Sequence, residues 1–154
     1  MSPMATIPVG MHIGTIVCRV TKTVEYGVSF ADFAAGKVGP PPQGARFDIT
    51  VEGSFTGAKL KGTFTAVDYV YVRADGRVEL HPHGEISTDD GAKIAYFVEG
   101  VVYSVEGSPF PTHLGIGTLS TASAKYAWVN DLEILSQGPM DLTKGELRLE
   151  IYSV

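Results

Sequence analysis

Apolar and polar residues alternate with a period of two along most of this chain. Near its end, Leu147, Leu149 and Ile151 are separated by charged residues, so an extended strand would carry all three on one face. The 18 glycines and 9 prolines fall mainly between such alternating segments. The pattern predicts about nine strands, near Ile13 to Lys22, Arg46 to Glu52, Lys59 to Ala66, Tyr69 to Arg73, Arg77 to Ser87, Ala92 to Ser104, His113 to Ala122, Lys125 to Ser136 and Gly145 to Tyr152.

Two turn sequences indicate how neighbouring strands pair. Asp75-Gly76 and Asp90-Gly91 each place a glycine where a tight hairpin requires a positive φ. The strands on either side of each turn should therefore be antiparallel neighbours. Because no long stripe of apolar residues at helical spacing is present, we predict an all-β fold, a single antiparallel barrel that forms one domain over residues 1–154.

The segment from Glu25 to Ala45 departs from the alternation. Ser29 followed by Asp32, with phenylalanines on both sides of that aspartate, predicts one or two turns of capped helix. The run Gly39-Pro40-Pro41-Pro42 must be extended or turning, because proline restricts its own φ and the residue before it. A long loop with aromatic residues fits a lid, a dimer contact or a plain surface connection.

Charge and cysteine content narrow the classes of partner and location. The chain has 12 Lys and Arg against 17 Asp and Glu, a formal net charge of -5, which disfavours nucleic acid and anionic membranes as partners. The one cysteine, Cys18, has apolar neighbours and is predicted to be a small core residue. The segment Met1 to Met11 lacks the basic start and apolar run of a signal peptide, so we expect a cytoplasmic location.

The segment Arg77 to Ser87 contains the strongest candidates for chemistry. His81 and His83 share one strand face and lie about 6.6 Å apart along it. Three interpretations are open: the pair transfers protons in a pocket, because the pKa of histidine lies near neutral pH; it binds a metal with Glu79 or Glu85, somewhat as in cupins; or it lies on a solvated face with no specific role.

The same segment contains two residues that disturb regular strand pairing. Pro82 has no N–H to donate to a neighbouring strand, and Gly84 has no side chain to pack against one. We therefore expect this strand to lie at an edge, to contain a bulge, or to be approached closely by another group.

A second candidate patch lies in the segment Tyr126-Ala127-Trp128-Val129-Asn130. In a strand, Tyr126, Trp128 and Asn130 would share a face, and aromatic walls with one amide suit an apolar or aromatic ligand. The alternative is that Trp128 is simply a core residue. The remaining candidates for substrate contacts are Tyr96, Asp68, Tyr69 and Arg46.

Two of those candidates have open alternatives. Asp68 is either a pocket acid or a turn residue, and Arg46 either binds a carboxylate or pairs with Asp48 on its own strand.

An ordered set of short motifs is similar to a known family. The motifs are Gly44-Ala45-Arg46, Gly53 with Gly57, Leu60-Lys61-Gly62, Asp68-Tyr69, Asp75-Gly76, Thr88-Asp89-Asp90-Gly91-Ala92, Tyr126-Ala127-Trp128-Val129-Asn130 and Ile151-Tyr152-Ser153-Val154. From about Gly44 onward the chain resembles the small bacterial and fungal proteins grouped as domain of unknown function family 3237. The resemblance implies a calycin-like or allene-oxide-cyclase-like β-barrel that often self-associates, so a homo-oligomer, a dimer, is expected. It implies no established activity.

The chain also departs from the family pattern. Many members have an aspartate, an arginine and a tyrosine where this chain has His81, His83 and Gly84, and a tryptophan is common where it has Tyr69. If these positions line a pocket, the resemblance implies a ligand unlike that of the commoner members.

The leading functional hypothesis is an enzyme without a cofactor or metal that acts on a small apolar or aromatic, polyketide-like molecule. Isomerisation, cyclisation, addition or elimination needs only a dry cavity, an acid, a base and oriented donors. In this hypothesis His81 or His83 moves the proton, Asn130 and Tyr126 hold the developing oxyanion, and Trp128 with Tyr96 forms the apolar wall. The alternatives are a binding protein or carrier without chemistry, a metal-dependent cupin-like enzyme, and an oligomerisation module with a filled centre.

Overall fold

The computed structural model of the protein describes residues 10–154. Most of the segment that carries the signal-peptide expectation, residues 1–9, therefore lies outside the described residues. The elements of residues 10–154 are β1 (His12–Glu25), α1 (Phe30–Ala34), β2 (Ala45–Thr56), β3 (Lys61–Val72), β4 (Val78–Leu80), β5 (Pro82–Thr88), β6 (Lys93–Tyr103), β7 (Thr112–Ser120), a 3-10 helix (Ala124–Asp131), β8 (Glu133–Asp141) and β9 (Glu146–Ser153).

The strands form one closed antiparallel barrel. Each pairs with the next along the chain, apart from β4 and β5, and β9 pairs with β1 to close the ring. The short strands β4 and β5 follow one another between β3 and β6, so together they occupy one position in the barrel. The predicted antiparallel β-barrel is confirmed, and both predicted hairpin glycines, Gly76 and Gly91, have a positive φ of about 90°.

The division of the chain into strands differs from the prediction in three places. The predicted strands over Lys59 to Ala66 and Tyr69 to Arg73 are one continuous strand, β3. The predicted strand Arg77 to Ser87 is interrupted at His81. Its register against β3 and against β6 is the same on both sides of the interruption, so no residue is inserted and the expected bulge is absent.

The predicted strand over Lys125 to Ser136 begins only at Glu133, because the residues before it form the 3-10 helix. Tyr126 and Val129 are its buried residues, and their spacing of three residues matches the period of a 3-10 helix. Tyr126, Trp128 and Asn130 therefore do not share a strand face.

The predicted capped helix is present as α1. The hydroxyl oxygen of Ser29 accepts a hydrogen bond from the Asp32 amide at 3.3 Å, as an N-cap does. The rings of Phe30 and Phe33 lie 5.1 and 5.9 Å from the ring of Phe47 at the start of β2. These contacts hold α1 against one end of the barrel.

The barrel has two different ends. The α1 end is formed by the connections after β1, β3, β6 and β8, and the 3-10 end by the connections after β2, β5 and β7. Side chains that are almost completely buried fill the 3-10 end, namely Ile16, Phe55, Leu60, Ile86, Ile94, Leu119, Val129, Ile134 and Ile151. Since none of these lines the cavity described below, the hydrophobic core and the open space occupy opposite halves of the barrel.

Candidate functional site

A cavity of about 120 Å³ lies inside the barrel at the α1 end. Its wall is mostly aliphatic and aromatic, and α1 contributes Phe30 and Phe33 to it. The polar side chains that reach it are few, and its lining includes Asp68, Asp141, Tyr96 and His113 but no lysine or arginine.

Glycines on the inner face of β7 let inward-facing side chains of β6 approach this strand closely. Gly115 and Gly117 occupy inward positions of β7, where a side chain would collide; a Cβ on Gly115 would lie 2.4 Å from Cγ1 of Val98. The hydroxyl of Tyr96 on β6 donates to the hydroxyl of Ser136 on β8 at 3.2 Å, across β7. Without side chains on β7 at this level, the Tyr96 ring can cross the barrel and form the floor of the cavity.

Asp68 is the carboxyl group of the cavity whose pKa is raised. It lies on β3 among inward-facing residues, and its Oδ1 accepts a hydrogen bond from the backbone N–H of His81 at 2.9 Å. Burial raises the pKa of the Asp68 carboxyl to about 6, and the hydrogen bond from His81 opposes this rise. A carboxyl group with this pKa can exchange its proton near neutral pH, and the pocket-acid role of Asp68 stays a prediction.

The interruption between β4 and β5 is what gives Asp68 this hydrogen bond. The His81 N–H points to Asp68 instead of pairing with β3, and the Nδ1 atom of the His81 ring lies 2.9 Å from the Tyr69 carbonyl. Because a carbonyl only accepts, the hydrogen bond assigns the proton to Nδ1. The His81 ring therefore bonds to the β3 carbonyl that its backbone amide would otherwise pair with. His81 acts on the cavity only through its backbone amide, which bonds to Asp68.

His113 is a further titratable group in the cavity, and it was not among the candidates selected from the sequence. It lies on β7, is 2 % exposed, and lines the cavity. Within residues 10–154, no group forms a hydrogen bond with either of its ring nitrogens. Burial lowers the pKa of His113 to about 4, so the ring is neutral at physiological pH. The sequence could have indicated this position, because His113 alternates in step with Gly115, Gly117 and Leu119, which share the inner face of β7.

His83 lies on the outer face of the barrel. Its ring makes edge-to-face contacts with Tyr69, at 5.8 Å, and Phe97, at 4.5 Å. The guanidinium of Arg46 lies 5.8 Å from the Tyr69 ring and its Nε donates to Asp48 at 3.1 Å, which is the pairing that the sequence left as an alternative. Four candidates, His81, His83, Tyr69 and Arg46, thus have side chains outside the cavity.

Tyr126 and Asn130 hold the 3-10 end together. The Tyr126 hydroxyl donates to the Asp90 carboxylate at 2.9 Å, and the Asn130 side chain forms hydrogen bonds with the backbone N–H and carbonyl of Thr121 at 2.8 and 2.9 Å. Hydrogen bonds from Lys125 above all, then from Thr88 and Tyr126, keep the pKa of Asp90 far below its usual range. Trp128 is half-buried in the same 3-10 helix. The candidates of this helix therefore do not converge with the histidines. Asp68 and Tyr96, in contrast, line one cavity.

Two further observations concern metal and membrane. The described part of the chain has no group of three or more His, Cys, Asp or Glu side chains that could hold a metal ion. Residues 10–154 also contain no helix long and apolar enough to cross a bilayer. The expected cytoplasmic location, self-association and independence from cofactors stay predictions.

Fold and cavity together define a class, an eight-position antiparallel β-barrel with a mainly apolar internal cavity. The chain belongs to the family described as "Protein of unknown function (DUF3237)", whose model matches residues 16–154. This confirms the family resemblance of the sequence. No curated protein matches the chain significantly.

Solved structures share the barrel at low sequence identity. A beta-barrel like protein from Acinetobacter baumannii is 19% identical, with a TM-score of 0.74 and 99% of each chain covered. A protein with unknown function from Clostridium acetobutylicum is 20% identical, with a TM-score of 0.70, covering 93% of this chain and 96% of that one. An enzyme from Penicillium herquei is 18% identical, with a TM-score of 0.59, covering 97% of this chain and 99% of that one. At these identities the likeness establishes the fold alone.

Proposed function

We propose that the barrel cavity binds a small, mainly apolar molecule about the size of one ring, and that Asp68 transfers a proton within it. The observation that carries the proposal is the carboxyl group of Asp68, whose pKa is raised to about 6, in a largely apolar cavity. The other carboxyl group of the lining, Asp141, has a lowered pKa because it accepts hydrogen bonds from Thr143 and Lys144. An ionised carboxylate is costly to bury and destabilises the protein, so its presence in the cavity favours a functional role.

The volume of the cavity sets the size of the ligand. Ligand pockets for drug-sized molecules measure about 300–1,000 Å³, whereas an apolar cavity of about 150 Å³ is enough for benzene. The present cavity, at about 120 Å³, therefore suits one ring or a short branched chain. A larger polyketide would require α1 to move away from Phe47.

The chemistry we propose is proton transfer next to a carbonyl group. With Oδ1 held by the His81 amide, Oδ2 of Asp68 removes a proton from the carbon beside the carbonyl, and an enolate forms. The same carboxyl then returns the proton to that carbon or to another one. The net reaction is a proton exchange in the first case and an isomerisation in the second, and neither gains or loses electrons or uses a cofactor.

The shared fold is compatible with catalysis, since one structure with this barrel is described as an enzyme. The role that the sequence suggested for His81 and His83 passes to Asp68 in this proposal. His81 contributes its backbone amide, and the ring of His83 stacks on the outer surface.

Binding is tested with cyclohexanone as the probe, by its effect on the melting temperature and by isothermal titration. The variant Val102→Phe places a larger side chain in the cavity wall and should abolish binding. Val17→Phe, on the exposed outer face, is the matched control and should bind normally. Equal binding by both variants would refute a site in the cavity.

Catalysis is tested by the uptake of deuterium from D2O beside the carbonyl of cyclohexanone, followed by NMR. Asp68→Asn should lower the enzymatic exchange at least about a hundredfold, as expected for loss of a general base, while cyclohexanone still binds. Unchanged exchange in Asp68→Asn together with a loss in His83→Gln would locate the chemistry on the outer face. Binding without any exchange in the unmodified protein would leave the carrier alternative.

A further inference from the structure

We propose that His113 is the hydrogen-bond partner of the bound molecule, so that the ligand is an uncharged compound whose hydroxyl or carbonyl oxygen meets this ring. The inference rests on the proposed function, because it assumes that the cavity binds a small molecule. It adds the chemical class of that molecule.

The first observation is that His113 is buried but unpartnered. Only 2 % of its surface is exposed, and within residues 10–154 neither ring nitrogen has a hydrogen-bond partner. Buried polar side chains in native proteins are almost always paired, because an unsatisfied donor or acceptor costs free energy. A buried imidazole without a protein partner therefore calls for a partner of another kind.

The neighbouring strands cannot supply this partner through their side chains at the same level. His113 pairs with Val102 on β6 and with Gly138 on β8, and neither residue has a polar side chain. The remaining direction from the ring is into the cavity, whose wall His113 helps to form. A polar atom that satisfies the ring must therefore lie inside the cavity.

The charges in the cavity decide which polar atom is suitable. Its wall has no lysine or arginine to balance an anion, and Asp68 would repel one. Burial lowers the pKa of His113 to about 4, so the ring is neutral, with one N–H donor and one acceptor nitrogen. A carbonyl oxygen can accept from the donor, and a hydroxyl group can serve either nitrogen, whereas a carboxylate meets an uncompensated negative field.

The test compares two ligands of nearly the same shape, toluene and phenol, in the unmodified protein and in His113→Leu. Dissociation constants are measured by NMR titration, and the ratio of the toluene constant to the phenol constant is taken for each protein. Desolvation of the free ligands cancels when the two ratios are compared. We expect the ratio to fall about tenfold in His113→Leu, the effect of one hydrogen bond, with toluene binding unchanged or slightly stronger.

Two further variants make the test independent of folding defects and of Asp68. His113→Asn keeps a donor and an acceptor and should retain part of the preference for phenol. Asp68→Asn should keep the preference if the oxygen meets His113. In the unmodified protein, phenol but not toluene should shift the ring ¹⁵N resonances of His113, which a purely structural histidine would not show.

Several results would overturn the inference. An unchanged ratio in His113→Leu means that the oxygen does not meet His113, and a ratio lost only in Asp68→Asn assigns it to Asp68. Tighter binding of benzylamine or benzoate than of phenol would show that the site selects a charged ligand. These outcomes differ from failure of the proposed function itself, in which neither toluene nor phenol binds to the unmodified protein and the inference falls with it.

Discussion

The two ends of the barrel differ in whether their polar side chains have hydrogen-bond partners. At the 3-10 end, Tyr126 donates to Asp90 and Asn130 bonds to the backbone of Thr121, around a tightly filled core. At the α1 end, Asp68 is half-buried and its pKa is raised by desolvation, and His113 has no hydrogen-bond partner among the described residues.

Under the proposed function, this difference assigns stability to one end of the sheet and ligand binding to the other. Strands of the same barrel supply a packed core at one end and, a few residues further along, an open cavity with polar groups that reduce stability. Polar residues that destabilise a protein core have no benefit for folding. We therefore attribute the polar groups at the α1 end to the proposed ligand binding.

The largest effect should come from removing a matched ring at each end. Phe55→Ala, at the 3-10 end, should destabilise the protein by about 3–5 kcal/mol, because Phe55 is 1 % exposed and its loss leaves a new cavity. Phe33→Ala, at the α1 end, should cost about 1–2 kcal/mol, since a half-buried ring beside an existing cavity loses less packing. Urea unfolding measures both values, provided that the dependence of the unfolding free energy on urea concentration has the same slope in all the proteins. Equal costs would contradict the division into two ends.

The second prediction concerns the opposite pH dependence of the two polar groups of the cavity. The Asp68 carboxyl has a pKa of about 6 in the folded state against 3.8 normally, so the folded state holds the extra proton and stability falls as pH rises between these values. The folded pKa of His113 is about 4 against 6.5, so the unfolded state holds the extra proton and stability rises over that interval.

Substitutions should separate these two opposing slopes. Relative to the unmodified protein, Asp68→Asn should gain stability by about 3 kcal/mol between about pH 4 and pH 7, because the rise from 3.8 to about 6 is about two pKa units at about 1.4 kcal/mol each. The stability of His113→Leu relative to the unmodified protein should fall by a similar amount over the same pH interval, because the unmodified protein gains stability there and the variant does not. Urea unfolding at a series of pH values gives both differences, and parallel curves for all three proteins would contradict the assignment.

A smaller effect should follow from changes at His81, which we assign as a positioning residue for Asp68. His81→Ala removes the ring that bonds to the Tyr69 carbonyl, so the amide that opposes the rise of the Asp68 pKa is held less firmly. The Asp68 pKa, followed by the ¹³C shift of its carboxyl, should rise further by about one unit. His81→Asn keeps a donor near the position of Nδ1 and should restore the original value; a common value in all three proteins would remove the positioning role.

The smallest effect concerns Cys18, whose thiol lines the cavity. Burial raises the pKa of this thiol to about 12, so the thiolate that reacts with labelling reagents is scarce. Labelling with a disulfide reagent at pH 8 should be slow in the unmodified protein and a few-fold faster in Phe33→Ala, which loosens the α1 end. Phe55→Ala, compared at equal remaining stability, is the control, and faster labelling there than in Phe33→Ala would show that the cavity opens from the other end.

Sequence patterns at short range determined much of this molecule. Alternation identified the strands and their two faces, Asp-Gly pairs identified two hairpins, and Ser29 identified the cap of α1, because each depends on residues close together in the chain. The pairing of neighbouring strands then led to the antiparallel barrel.

Only the tertiary structure decided which face of each strand turns inward and which groups meet there. The alternation of β4 and β5 placed His81 and His83 on one face correctly, yet closure of the barrel put that face outside, since the other face buries Leu80, Pro82 and Ile86. Asp68 and His113 come together from strands that are far apart in the sequence, and both line one cavity. A pattern of period two assigns two faces without labelling them, so the site could be recognised only after the sheet had closed on itself.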